Sequence, residues 1–283
     1  MATLHNIKES IYNKYRAYEW NYRLSTWHQR AVPNFIIIGA QKSGTTSLFD
    51  HIKKHPQAIP SFSKEVHFFD GGIEPDIDNF NNGEAWYRAH FPFKSKINKT
   101  KTFEASPLYI FNPYAPQRIY DYIPKVKLIA ILRNPVERAI SQYYMNVEKG
   151  YEHRPLSEAL KEEDQLMEDV KQSKAFKSKI FLECSYKSRG VYINQIQSYL
   201  KYFSKDQLLI LSSEALFTNP LSTLQQIFEF VDIDSGFKPS NLKPKNVTNS
   251  KQYVDQGTYD QLYSFFEPYN EALFDLIGKR FNW

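Results

Sequence analysis

Residues 33–52, PNFIIIGAQKSGTTSLFDHI, carry a buried strand, a glycine-containing turn and the start of a helix in immediate succession. Residues 35–38 form a short apolar run rich in β-branched side chains, which is typical of a central parallel strand, and residues 47–52 begin a helical pattern. Gly39 and Gly44 permit backbone angles at which successive N–H groups converge on an anion at the positive end of that helix. The segment therefore predicts an α/β fold with a phosphate site after a buried strand.

The turn differs from a Walker A loop at the residue that decides its chemistry. Gly39 and Gly44 have the Walker spacing, but Thr45 follows the second glycine and the lysine, Lys42, lies inside the loop. A lysine in that place can reach a bridging or leaving-group oxygen, while Thr45 and Thr46 add hydroxyl donors at the helix start. This arrangement predicts group transfer from a phosphate without a metal ion.

A second strand-to-helix junction lies at residues 125–144, KVKLIAILRNPVERAISQYY. Residues 126–132 have the pattern of a buried strand, which a Walker B motif would end with an aspartate for magnesium. This strand is followed by Arg133 instead, and Pro135 fits the first turn of a helix. Ser141 lies about two helical turns further on, so Arg133 and Ser141 can hold a second phosphate. Two phosphate sites without a magnesium ligand describe an adenosine with a 5′-phosphosulfate and a 3′-phosphate.

At these motifs the chain resembles the sulfotransferases that use 3′-phosphoadenosine 5′-phosphosulfate (PAPS). AQKSGTTSL is similar to the family's 5′-phosphosulfate loop, and LRNPVERAISQYY to its 3′-phosphate motif. SKEVHFFD, EAWYRAHFP and FFEPYNEALFDLIGKRFNW have counterparts, in the same order, in heparan sulfate sulfotransferases and their bacterial relatives. The resemblance implies a P-loop-like three-layer fold, with a central parallel sheet flanked by helices. It covers residues 33–283 as a single domain, which residues 1–32 precede as a helical extension.

The resemblance also implies the residues that bind the donor, with 3′-phosphoadenosine 5′-phosphate (PAP) as product and no metal ion. One of them comes from the loop at residues 242–253, whose family equivalent closes over the 3′-phosphate, and the sequence leaves open which of two lysines serves. The implied donor contacts are Gln41, Lys42, Ser43, Gly44, Thr45, Thr46, Arg133, Ser141, Tyr192 and either Lys245 or Lys251.

The segment SKEVHFFD, residues 63–70, carries the predicted chemistry. If it is extended, Glu65 and His67 project from the same side. Glu65 matches the family's catalytic glutamate and is the predicted general base for the attacking hydroxyl or amine. His67 would hold the acceptor or share the proton, and Lys42 would stabilise the leaving oxygen. The alternative interpretation is an ordinary surface ion pair between Glu65 and His67.

The predicted acceptor cleft is aromatic. In the heparan-modifying enzymes a lysine usually follows the glutamate that matches Glu104, whereas this chain has Ala105. Glu104 could orient the acceptor or pair with Lys101. Aromatic surfaces suit sugar rings, planar natural products and cationic groups alike, so a carbohydrate and a small, cationic alkaloid-type metabolite both remain open. The alternative is that most of these aromatic residues are core. The predicted acceptor contacts are Phe68, Trp86, Tyr87, Glu104 and Tyr109.

Composition narrows the class of protein. The net charge is +5 over 283 residues without a clustered basic stripe, which argues against a nucleic-acid partner. Cys184 is the only cysteine, so no internal disulfide forms, and residues 1–32 contain no continuous apolar segment that could serve as signal peptide or membrane anchor. These features predict a cytoplasmic bacterial enzyme. The other hypotheses are a P-loop kinase that uses ATP and magnesium, and a catalytically silent nucleotide- or glycan-binding protein.

Overall fold

The computed structural model describes residues 2–245 and 254–283, and a parallel five-stranded sheet forms its centre. The strands are β1 (Phe35–Gly39), β2 (Ala58–Pro60), β3 (Lys101–Ala105), β4 (Lys127–Leu132) and β5 (Leu208–Ser212). Their spatial order is β2-β3-β1-β4-β5, and neighbouring strands are parallel throughout. The strands predicted at residues 35–38 and 126–132 are confirmed as β1 and β4.

Helices connect the strands and cover the sheet. In chain order they are α1 (Ala2–Ser25), α2 (Thr45–Ile52), α3 (Gly83–Ala89), α4 (Ala115–Tyr122), α5 (Pro135–Glu148), α6 (Leu156–Ser173), α7 (Lys179–Glu183), α8 (Tyr192–Leu200), α9 (Ser213–Thr218), α10 (Pro220–Phe230) and α11 (Gln256–Ile277). Short 3₁₀ turns lie at Trp27–Gln29, Asn79–Asn82, Lys94–Lys96, Ser188–Gly190 and Lys205–Gln207.

Both faces of the sheet are buried, because successive side chains of a strand point to opposite sides. Ile36 and Ile38 of β1 belong to a core that includes residues of α4, α5, α8 and α11. Phe35 and Ile37 belong to a second core with α2, α9 and α10. Every residue of β1 is buried, as expected of a parallel strand covered by helices on two sides. The predicted three-layer α/β architecture is therefore confirmed.

The N-terminal helix α1 packs against α3 and its surroundings. Trp20 lies with its ring centroid 4.7 Å from that of His90 and 6.0 Å from that of Trp86. Arg23 donates a hydrogen bond to the carbonyl oxygen of Ala89 at 3.1 Å. The domain boundary at residue 33 stays a prediction. Within residues 2–245 and 254–283, no helix combines the length and the apolar character that crossing a bilayer requires.

Candidate active site

The two predicted phosphate motifs follow neighbouring strands at the carboxyl edge of the sheet. The chain leaves β1 towards β2 on one side and leaves β4 towards β5 on the other, so the crevice between β1 and β4 is a topological switch point. Ligands of open α/β sheets bind in such crevices. Arg133 Nη1 donates to the carbonyl oxygen of Lys42 at 3.4 Å, so the structure brings the two motifs into direct contact.

The loop after β1 has the backbone of an anion site. Lys42 has a φ of 67° and Gly44 a φ of 89°, both in the left-handed region. Gly44 is the N-cap of α2, and a Cβ added to it would lie 2.8 Å from the ring of Phe217, so glycine is required there for space and for angle. Thr45 opens the helix as predicted. The amides of a first turn lack acceptors within the helix and favour a negative charge.

Positive charge is concentrated where the two motifs meet. Burial and the charges of Arg133 and Lys149 lower the pKa of Lys42, which shows that the lysine is held in a cationic environment. The guanidinium of Arg133 is also 3.3 Å from a carboxylate oxygen of Glu137. Neighbouring cations that repel each other gain stability when a phosphate lies between them. The pair Lys42 and Arg133 therefore suits a polyanionic ligand.

Several hydrogen bonds stabilise the residues that follow β4, Arg133 to Pro135. Asn134 caps α5 by accepting from the amide of Val136 at 2.9 Å, and Pro135 begins the helix as predicted. The amide of Asn134 donates to Glu214 at 2.9 Å. Glu214 could not be identified from the sequence, because its partner lies 80 residues away along the chain. Ser141 lies within α5, as predicted from its spacing, and is half-buried.

Tyr192, a predicted donor contact, is buried at the start of α8. Its hydroxyl donates to the carbonyl oxygen of Arg133 at 3.0 Å, and burial raises the pKa of Tyr192 to about 12. The hydroxyl is therefore protonated at neutral pH and bound to the main chain. Tyr192 supports the 3′-phosphate motif in this way, and its contact with the donor itself stays a prediction.

A buried arginine stabilises the loop after β1 by hydrogen bonds. Its role could not be identified from the sequence. Arg189 is 4% exposed and donates to the side-chain oxygen of Gln41, to Ser185 Oγ at 2.7 Å and to the carbonyl oxygen of Leu182 at 2.8 Å. Burial lowers the pKa of Arg189 to about 9. Gln41 thus has a structural partner inside the protein, and Ser43 beside it is fully buried.

The loop that the resemblance places over the 3′-phosphate is described only as far as Lys245. The Lys245 amide donates to Ser47 Oγ at 2.8 Å, and that hydroxyl donates to the Lys245 carbonyl oxygen at 3.3 Å. The ammonium group of Lys245 is 3.8 Å from Asp50. These contacts fix the loop against α2. Lys251, the other lysine predicted for this role, lies outside the described residues.

The segment with Glu65 and His67 follows β2 and differs from its predicted conformation. It is not an extended strand, since Glu65 has a φ of 60° and His67 a φ of 52°. The two side chains still meet, with Glu65 Oε2 3.5 Å from His67 Nε2. The amide of Glu65 donates to the carbonyl oxygen of Ala105 at 2.9 Å. This bond ties the segment to the end of β3, the strand beside β1.

The charge of His67 depends on Asp70, which could not be singled out from the sequence although it lies three residues after His67. Asp70 is 1% exposed and accepts from His67 Nδ1 at 2.7 Å. Burial opposes a charge on His67, but the carboxylates of Asp70 and Glu65 outweigh it and raise the pKa of His67 to about 10. A cationic imidazole donates from both ring nitrogens. Both ring nitrogens of His67 face carboxylates, those of Asp70 and Glu65, so the side chain is suited to orienting Glu65. Its predicted contact with the acceptor stays a prediction.

Glu65 is the partly exposed member of the pair, with 41% of its side chain accessible. Burial on its own would raise the pKa of Glu65, but the hydrogen bond from His67 and the charge of Lys64 lower it to about 2. The carboxylate is therefore ionised at neutral pH and available as a proton acceptor.

Replacing Asp70 by asparagine should move the titration of His67 towards neutral pH. The raised pKa means that the charged His67 contributes stability below about pH 6.5, and that this contribution is lost as the pH rises through about 10. The stability difference between wild type and Asp70→Asn should therefore shrink from pH 6.5 upwards. Loss of a charged hydrogen bond costs roughly 1.5–3 kcal/mol. NMR titration of His67 and unfolding curves against pH test this, and an unmoved titration would contradict it.

Most residues predicted to line the acceptor cleft are core residues, which corrects that expectation. Phe68, Tyr87, Tyr109 and Glu104 are each at most 1% exposed, because the rings stack on one another beneath the Glu65 segment. Glu104 accepts hydrogen bonds from buried hydroxyl groups and does not pair with Lys101 in the described contacts. Trp86 is half-buried, and Trp20 of α1 packs against it.

Comparison with known proteins identifies the family of this chain. The family model described as "Sulfotransferase domain" matches residues 32–261. Heparan sulfate glucosamine 3-O-sulfotransferase 5 of Mus musculus is 30% identical over 276 residues, which cover 89% of this chain and 74% of that protein. The Homo sapiens protein of the same name is 29% identical with the same coverage. A solved sulfotransferase structure from Alicyclobacillus acidocaldarius superposes with a TM-score of 0.72 at 27% identity, covering 89% of this chain and 98% of that one. The chain belongs to the sulfotransferase family.

Proposed function

We propose that this enzyme transfers the sulfuryl group of PAPS to a hydroxyl group, or to an amine, of a carbohydrate or small natural-product acceptor. The observation that carries the proposal is the contact between the two phosphate motifs, in which Arg133 reaches the carbonyl of Lys42. Two cationic motifs in one crevice suit a nucleotide with phosphate at both the 5′ and the 3′ position. Family membership supports the same donor.

The side chains suit the chemistry of sulfuryl transfer. Glu65 takes the proton from the acceptor oxygen while that oxygen forms its bond to sulfur. The bond from sulfur to the bridging oxygen breaks, and its electron pair stays on the departing PAP. Lys42 stabilises the charge that develops there. The hydrogen bond from His67 and the charge of Lys64 keep the Glu65 carboxylate ionised, so that it can accept the proton.

The residues at the end of β4 favour a reaction that needs no metal ion. A kinase of this fold needs a carboxylate at the end of the strand that matches β4, and Arg133 stands there. Glu214, the carboxylate bound to the amide of Asn134, also accepts from Trp283 Nε1 at 3.1 Å. Its oxygens are therefore engaged in fixing the motif. This favours PAPS over ATP with magnesium as the donor.

Two classes of acceptor are candidates. The related proteins of mouse and human are named as acting on heparan sulfate glucosamine, which supports a glycan. Ala105 is buried and supplies no cation for an anionic sugar, so a neutral or cationic acceptor is the second candidate.

A transfer screen tests the proposed function. Purified enzyme is given sulfur-labelled PAPS with sulfated glycans, unsulfated glycans and hydroxylated alkaloids, in buffer containing EDTA. We expect label on one of these classes, and Glu65→Gln should abolish it. A parallel reaction without EDTA contains phosphorus-labelled ATP and magnesium. Transfer of phosphate in that reaction, with no transfer from PAPS, would contradict the proposal. Label on alkaloids alone would favour the cationic acceptor.

A further inference from the structure

Glu104 is a carboxylate at the end of β3 with no exposed surface and three hydroxyl partners. Tyr87 donates to Oε1 at 2.6 Å, Ser106 donates to Oε2 at 2.8 Å, and the hydroxyl of Tyr109 lies 3.3 Å from Oε2. Burial raises the pKa of Glu104 to about 7, which is the expected result of removing a carboxylate from water. Nothing in the reaction proposed above uses this group.

Two of the three hydroxyl groups lead directly to the segment that carries Glu65 and His67. The amide of His67 donates to Ser106 Oγ at 3.1 Å, and the amide of Phe68 donates to the hydroxyl of Tyr109 at 2.9 Å. A hydroxyl group has a single proton, so one that donates to the carboxylate presents only lone pairs to an amide. Glu104 thereby orients both hydroxyl groups as acceptors.

The segment needs such support because of its backbone conformation. Glu65 and His67 both have left-handed φ angles, which cost roughly 1–2 kcal/mol for a residue with a side chain. Strained angles persist only where the surrounding structure holds them. Besides the bond from the Glu65 amide to Ala105, the amides of His67 and Phe68 donate to Ser106 and Tyr109. The carbonyl oxygens of His67 and Phe68 accept from Asn79 Nδ2 at 3.1 Å and from the Gly71 amide at 3.2 Å. The bonds to Ser106 and Tyr109 are thus the ones that hold the two amides.

We propose that Glu104, through the hydroxyl groups of Ser106 and Tyr109, is a positioning residue that fixes the main chain of His67 and Phe68. It thereby places the pair of Glu65 and His67 for proton transfer. This replaces the predicted contact of Glu104 with an acceptor. The inference rests on the proposed function only in the role it gives to Glu65.

Tyr87 offers a matched control for Tyr109. Both tyrosines are fully buried and both hydroxyl groups are bonded to Glu104, but only that of Tyr109 also accepts from the Glu65 segment. Tyr→Phe removes one oxygen atom in either case and leaves the ring in place. Ser106→Ala is an independent test of the second connection, since it removes the acceptor of the His67 amide.

The experiment combines kinetics with amide hydrogen exchange on the full chain. Tyr109→Phe and Ser106→Ala should each lower kcat about tenfold more than Tyr87→Phe does, while the dissociation constant of PAP changes less than about twofold in all three. Exchange should become faster at the Phe68 amide in Tyr109→Phe and at the His67 amide in Ser106→Ala. Tyr87→Phe should leave both amides as protected as in the wild type.

Equal losses of kcat in Tyr87→Phe and Tyr109→Phe would overturn the inference, because a merely structural role of the buried cluster affects both alike. Unchanged exchange at His67 and Phe68 would also overturn it, and this measurement needs no turnover. Failure of the proposed function gives a different result, in which Glu65→Gln keeps wild-type turnover whatever the exchange rates show.

Discussion

Glu65→Gln should lower kcat by roughly 10²–10⁴-fold and leave the affinity for PAP nearly unchanged. Glutamine keeps the size of the side chain and can still accept a hydrogen bond from His67, but it cannot take a proton. The side-chain contacts of Glu65 are with Lys64 and His67, and neither belongs to the donor motifs. Steady-state kinetics with labelled PAPS and calorimetry with PAP measure the two effects.

Glu158→Gln is the matched control, because Glu158 is an exposed residue in the first turn of α6. It should keep the turnover and PAP affinity of the wild type. If Glu65→Gln retains turnover within about threefold of the wild type, Glu65 is not the base. A loss of PAP affinity equal to the loss of turnover would instead assign Glu65 to donor binding.

Arg133→Ala should weaken the binding of nucleotides that carry a 3′-phosphate far more than the binding of those that lack it. A hydrogen bond between charged groups contributes roughly 1.5–3 kcal/mol, so the affinity for PAP should fall about ten- to a hundredfold. The affinity for adenosine 5′-phosphate, which lacks the 3′-phosphate, should change little. Calorimetry with both nucleotides on both proteins forms a double-mutant cycle that isolates the contact.

Two further variants sharpen that cycle. Lys42→Ala should weaken the binding of both nucleotides to a similar degree, since we propose that Lys42 contacts the 5′-phosphate, which both carry. Arg280→Ala removes an exposed arginine paired with Glu271 and should change neither affinity. If Arg133→Ala weakens both nucleotides equally, the 3′-phosphate does not lie at Arg133.

The fold and the positions of the two strand-to-helix motifs could be predicted because their signals are local. The apolar run of β1, the glycine spacing after it and Pro135 after β4 each lie within a few residues of the structure they specify. A parallel strand and a helix N-terminus are recognisable from such short patterns. The resemblance then supplied the order of the motifs, and the sheet brings them together at its switch point.

The surroundings of the site could not be predicted because they depend on long-range packing. Arg189 meets Gln41 across 148 residues, and Glu214 meets Asn134 across 80. Neither pairing leaves a pattern in the local sequence. The left-handed backbone at Glu65 could not be predicted either, since hydrogen bonds to Ser106 and Tyr109 on another segment stabilise it.

The burial of the aromatic residues could not be predicted from the sequence either. Tyr87 and Tyr109 have the composition of a ligand-binding surface, and only the packing of α3 and β3 decides that they are buried. Their hydroxyl groups serve the carboxylate of Glu104 instead of an acceptor. Whether a tyrosine is buried with its hydroxyl group hydrogen-bonded depends on tertiary packing, which residue spacing alone does not predict.

Binding of PAP and of ATP tests the central claim most directly. Calorimetry compares PAP in EDTA with ATP in excess magnesium on the wild-type protein. The crevice formed by the Lys42 loop and Arg133 should bind PAP without metal at least about a hundredfold more tightly than it binds ATP with magnesium. Tighter binding of ATP that depends on magnesium, with weak binding of PAP, would contradict the account.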